Sequence, residues 1–97
     1  MKHITNKEAT ILLGLHALKG AGRIFSVKFR KRTTGEVRNM VCRFDVSKYL
    51  KGRSPAYDFA EKRVMNVFDI QKMGYRNINL DEIFELHING ETYEVEA

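Results

Sequence analysis

Residues 23–44 read Arg23-Ile-Phe-Ser-Val-Lys-Phe-Arg-Lys-Arg32, then Thr33-Thr-Gly-Glu36, then Val37-Arg-Asn-Met-Val-Cys-Arg-Phe44. Two apolar-alternating runs joined by a glycine-containing turn spell a β-hairpin. On the first arm Phe25, Val27 and Phe29 fall on one face, and Lys28, Arg30 and Arg32 on the other. One face builds a core while the other presents cations. Arg38 and Arg43 on the return arm differ by an odd number of residues. A regular strand therefore cannot place both beside Lys28 and Arg30. Gly35 stands where the turn calls for a positive φ.

The alternation continues downstream. Strands are expected over 64–70, 75–80, 83–88 and 91–95, with a turn at Gln71–Gly74 and a break at Asp81-Glu82. Asn89-Gly90 is the strongest short hairpin signal in the chain. Residues 46–58 hold the one proline, Pro55, and read as a long loop, with a helical turn over 57–63. Upstream, residues 5–19 read as a helix. Thr5 and Glu8 match a capping box, and Gly20-Ala-Gly22 stops the helix. Ile11, Leu15 and Leu18, with Leu12 beside them, are expected to cover the core, dimerisation being their alternative use.

These elements predict a mainly β fold. The expectation is a small closed barrel of five or six strands with one N-terminal amphipathic helix, a split sandwich being the alternative. The chain of 97 residues is a single domain, 1–97, with the helix at 5–20 and the barrel at 23–95.

Charge is unevenly spread. Residues 19–63 carry 13 Lys/Arg against four Asp/Glu, whereas residues 64–97 carry two against seven. The first half points to an anionic partner, unless the halves neutralise each other in the fold. The acidic half (Asp81, Glu82, Glu85, Glu91, Glu94, Glu96) reads as a solvated surface, with a docking face as the alternative.

Several function classes lose support. Apolar runs are too short for a membrane span, the start has no signal-peptide core, and Cys42 is the lone cysteine. A cytoplasmic location is expected. His3, His16 and His87 lack metal-ligand spacing, and no catalytic motif or cofactor signature occurs. A Cys42–His87 pair is conceivable, but Cys42 reads as a core residue.

Part of the chain resembles a known family. The segments are Phe25–Met40, Tyr49-Leu-Lys-Gly52, Val67-Phe-Asp-Ile-Gln-Lys-Met-Gly-Tyr-Arg-Asn-Ile-Asn-Leu80 and Asn89-Gly-Glu-Thr-Tyr-Glu-Val95. Together they resemble the small, mostly phage-encoded proteins described as WYL-like, Sm-like SH3 β-barrels. The resemblance covers roughly residues 23–95. It implies an SH3/Sm-like barrel, no enzymatic activity, no cofactor and residence in the host cytoplasm.

The functional expectation is a non-enzymatic module that engages nucleic acid or nucleotide. Its candidate residues are Lys28, Arg30, Arg32, Arg38, Arg43, Tyr75 and Arg76, with Tyr49 and Tyr57 as further stacking candidates. For Tyr75-Arg76 two readings stand. One is a phosphate clamp beside a stacking ring. The other is a turn lock with Arg76 bonded to a loop carbonyl or Asp69. The alternative partner is a host protein, with the chain a monomer or homodimer.

Overall fold

A computed structural model describes residues 1–19, 22–31, 33–44 and 61–96. It is mainly β with one N-terminal helix. In chain order the elements are β1 (Lys2–Thr5), α1 (Asn6–Lys19), β2 (Phe25–Arg30), β3 (Val37–Arg43), β4 (Val64–Asp69), β5 (Gly74–Asn79), a 3-10 turn (Leu80–Glu82), β6 (Ile83–Ile88) and β7 (Glu91–Glu96). The seven strands form one sheet in the order β1-β7-β6-β2-β3-β4-β5. The loop expected over 46–58 and most of the helical turn over 57–63 lie outside the described residues.

The hairpins form where their turn chemistry places them. Lys31 and Glu36 close the β2–β3 turn, with Lys31 N–H donating to the Glu36 carbonyl at 2.8 Å. Gly35 adopts φ +72°. Asn89 and Gly90 take φ values of +54° and +76°. Those two positive angles are what a two-residue turn between right-twisted strands requires. The β4–β5 turn is held differently. Asp69 Oδ1 accepts the backbone N–H of Gln71 at 3.0 Å and of Lys72 at 3.1 Å.

The sheet rolls until its two edges meet at one corner. Arg63 immediately precedes β4, and Asn6 immediately follows β1. Arg63 Nη2 donates to Asn6 Oδ1, and Nη1 donates to Thr10 Oγ1 at 3.1 Å. Nε and Nη2 both donate to Asp81 Oδ1, at 3.1 and 2.8 Å. Asn6 Nδ2 in turn donates to the Leu80 carbonyl at 2.9 Å. One guanidinium thus ties the start of the helix, which directly follows β1, to the 3-10 turn. Arg63 holds a positive φ of 56°, an uncommon backbone state outside glycine.

Inside the roll, Phe25, Val27, Cys42, Phe44, Met65, Val67, Ile78, Leu80, Ile83, Leu86 and Ile88 form one buried cluster with Ala9, Leu13 and Ala17 of the helix. The alternation predicted on β2 is the one observed.

Two expectations need correction. β1 is a strand that the sequence did not announce, and it raises the count to seven. Only Ile4 of β1 packs against the core, so the segment has no alternation to read; it is a strand because it pairs in parallel with β7. The helix also turns a different face inward. The capping box forms as expected, with Thr5 N–H donating to Glu8 Oε1 at 3.0 Å and Glu8 N–H donating to Thr5 Oγ1 at 3.1 Å. The helix buries Ala9, Thr10, Leu13, Gly14, His16 and Ala17, while Ile11, Leu15 and Leu18 remain about half exposed. Small residues let the helix backbone approach the sheet closely, which the bulkier stripe would prevent.

Candidate nucleic-acid interface

Strand register decides which cations share a face. β2 and β3 pair without interruption from Phe25↔Cys42 to Arg30↔Val37. Lys28 and Arg30 therefore share the outer face with Val37, Asn39, Val41 and Arg43. Arg38 lies opposite Phe29, on the core-side face at the strand end. There its Nε sits 3.3 Å from Glu36 Oε1, without hydrogen-bond alignment. Arg43 thus joins the first-strand cations and Arg38 does not. Arg32, Tyr49 and Tyr57 lie outside the described residues.

The outer face changes character across β2. Toward β6, Lys28 Nζ lies 3.1 Å from Glu85 Oε2. The same oxygen accepts from His87 Nε2 at 2.9 Å, and Thr92 Oγ1 and His87 Nδ1 share a hydrogen bond of 2.9 Å. An ionised carboxylate can only accept, so Nε2 of His87 is the donor to Glu85. The bonds from His87 and Lys28 hold the Glu85 carboxyl below its ordinary range. Lys28 is thereby neutralised and fixed.

Toward β4 and β5 the face is aromatic. The Arg43 guanidinium sits 4.6 Å from the Phe68 ring centroid, a cation–π distance. Phe68 meets Tyr75 edge to face, with centroids 5.2 Å apart. Arg43↔Phe68 and Phe68↔Tyr75 are direct cross-strand neighbours, so three adjacent strands carry the row. Tyr75 is 56% exposed. Asn66 and Asn77, bridged by a 3.0 Å hydrogen bond, continue this surface.

Arg76 points to the other side of edge strand β5, opposite Val67. Its Nε lies 3.4 Å from Asp69 Oδ2. The contact has the geometry of the turn-lock reading, since Asp69 is buried and already holds the β4–β5 turn. A second feature opens beside Arg76. β3 pairs with β4 only at Cys42↔Asp69 and Arg43↔Phe68. A last backbone bond runs from Ile70 N–H to the Val41 carbonyl at 3.1 Å. Beyond it the strands part and leave a cleft of about 490 Å³. Phe29 and Met40 form its floor, and Arg30, Lys31, Arg76 and Glu82 stand around it.

Sequence reasoning named Arg30 and Arg76 but missed Lys31, Phe29, Met40 and Glu82 as neighbours of one cleft. It also missed Phe68. Alternation over 64–69 sets Phe68 on the face opposite Met65 and Val67, but only the β4–β5 register brings it to Tyr75. Cys42 and His87 do not meet. Cys42 faces the core from β3, whereas His87 lies on the outer face of β6. Burial and the nearby Asp69 carboxylate push the Cys42 thiol up to about 12.

Among the described residues no group of three or more His, Cys, Asp or Glu side chains could hold a metal ion, and no helix is long and apolar enough to cross a membrane. Comparison with protein-family models, characterised proteins and solved structures finds no match.

Proposed function

We propose that the chain is a non-enzymatic small-barrel module that binds single-stranded nucleic acid on the outer face of β2–β5. The observation that carries this reading is the cross-strand row Arg43, Phe68 and Tyr75, continued by the exposed Arg30 at the end of β2. Single strands are held sequence-tolerantly by aromatic rings that stack on bases and by cations that follow phosphates. The row supplies both groups on neighbouring strands. Under this reading the protein acts by occupancy, with no chemical step. It would stand with the WYL-like, Sm-like SH3 barrels as a phage-encoded accessory or regulatory protein in the host cytoplasm.

One observation favours a second reading. The exposed stripe Ile11, Leu15 and Leu18 on α1 is a surface that a host protein could cover. Fluorescence-anisotropy titration with single-stranded DNA, RNA and duplex decides between the two. Binding to single strands that is weakened by Tyr75→Ala supports the first reading. No binding to any of the three overturns it and directs the search to a protein captured through α1.

A further inference from the structure

We infer that the cleft between the β2–β3 turn and β5 is a binding site for the phosphate-bearing end of a nucleotide. This goes beyond strand binding on the outer face, because the cleft opens at the β2–β3 turn end and, of that surface, takes in only Arg30 and Asn77.

The chemistry of the cleft selects the ligand. Among the described residues three cations, Arg30, Lys31 and Arg76, surround it against one carboxylate, Glu82. Arg76 is oriented before any ligand arrives. Asp69 Oδ2 lies 3.4 Å from its Nε and steadies the guanidinium at the edge of the cleft. Arg30 is similarly steadied, with Nη1 donating to the Gly35 carbonyl at 3.1 Å. Lys31 has no ion pair among the described residues. Guanidinium groups held this way favour bidentate phosphate contacts.

Inorganic phosphate alone would leave most of the site unused. The volume of about 490 Å³ falls in the range of small-molecule pockets. The floor is apolar, with Phe29 partly buried and Met40 nearly fully buried. A flat ring would cover that floor. Asn77 and Asn79 also line the cleft, and side-chain amides suit the hydroxyls of a ribose or the polar edge of a base. Anion, flat ring and donor groups together describe a nucleotide.

The cleft has a simple origin. β3 stays with β2 over six residue pairs but with β4 over only two. The hairpin therefore leans away from β5 at its turn end, and the gap exposes the floor.

The test is calorimetric titration of the wild-type chain with adenosine and guanosine monophosphates, the matching nucleosides and inorganic phosphate. We expect a nucleoside monophosphate to bind at least tenfold more tightly than its nucleoside or inorganic phosphate. Lys31→Glu should weaken that binding at least tenfold. Arg76→Lys, which keeps the charge but loses the fork, should weaken it severalfold, with thermal melting to verify the fold. Arg43→Ala and Tyr75→Ala on the outer face should change it by less than twofold. Oligonucleotides with and without a 5′-phosphate then distinguish sources. A preference for the phosphorylated end assigns the site to a strand terminus, and equal affinity assigns it to free nucleotide. No nucleotide binding, equal binding of nucleosides, or indifference to Lys31→Glu overturns the inference. Loss of single-strand binding with nucleotide binding intact would instead reject only the outer-face reading.

Discussion

The cationic surface has two sides that differ in how their charges are answered. On the β6–β7 side Lys28 meets Glu85, and His87 and Thr92 complete a closed chain of hydrogen bonds. On the β4–β5 side Arg43 lies on an aromatic ring, and Arg30, Lys31 and Arg76 gather around an open cleft. Apart from Arg76 of β5, these cations come from one basic hairpin. The acidic half of the chain answers Lys28 with Glu85 and Arg76 with Asp69, and leaves Arg30, Lys31 and Arg43 without a carboxylate partner among the described residues. A count of lysines and arginines therefore overstates the binding surface, and the strand order selects the useful ones.

The harshest way to break the comparison is to remove what holds the rolled sheet together. Arg63→Ala deletes the charged hydrogen bonds to Asn6, Thr10 and Asp81. Such bonds contribute about 1.5–3 kcal/mol each when one partner is ionised, and they are not additive. We expect a loss of about 2–4 kcal/mol in urea unfolding, with Thr10 left partly unsatisfied. A variant as stable as wild type would mean that the edges are held by other contacts.

Next in size is a direct contrast between the two sides. Stacking on one aromatic contributes about 1–3 kcal/mol per base. Tyr75→Ala should therefore lower single-strand affinity about tenfold, a difference of about 1.4 kcal/mol. Lys28→Ala should change it less than twofold, because Glu85 already holds that charge. Equal losses in anisotropy titrations would erase the distinction.

The closed side can also be opened by acid. The Glu85 carboxyl is held below its ordinary value of 4.5 by hydrogen bonds from His87 and Lys28. A carboxyl depressed in the folded state contributes stability that is fully present above the unfolded value. That contribution is lost as the pH falls through the folded value. Thermal melting from neutral pH to below 4.5 should therefore show a steeper acid decline in wild type than in Glu85→Gln. Coincident curves would mean that the network adds no linked stability.

The smallest effect concerns the seam where the two sides join. Cys42 is buried at the β3–β4 pairing, with its thiol pushed up to about 12. A thiol reagent at mildly alkaline pH should label it only in denaturant. Rapid labelling of the native chain would show that the seam opens.

Much of the sheet was legible because a strand has only two faces. Phe25, Val27 and Phe29 could go to the core only together, and Asn89-Gly90 admitted one turn. The helix was less legible. It carries apolar groups around most of its circumference, so spacing picked Ile11, Leu15 and Leu18. Close approach to the sheet picked Ala9, Leu13 and Ala17 instead. β1 carried no pattern of its own, because its pairing depends on an edge supplied by the last strand.

The site was legible as a list of charges and not as a place. Parity alone separated Arg38 from Arg43. The Phe68–Tyr75 contact depends on the β4–β5 register. The cleft depends on β3 leaving β4 after two residue pairs, and Glu85 cancels Lys28 from nearly sixty residues away. None of these is a local property of sequence.

The salt dependence of single-strand binding tests the central claim most directly. For single strands, each phosphate contact adds about 0.7 to the magnitude of the slope of log affinity against log salt. Wild type, Lys28→Ala and Arg43→Ala should be titrated with one oligonucleotide between about 50 and 200 mM salt, where counterion release is readily measured. The account predicts binding that weakens with salt, an unchanged slope in Lys28→Ala and a slope shallower by about 0.7 in Arg43→Ala. Absent or salt-insensitive binding, or a slope that falls in Lys28→Ala but not in Arg43→Ala, would contradict it.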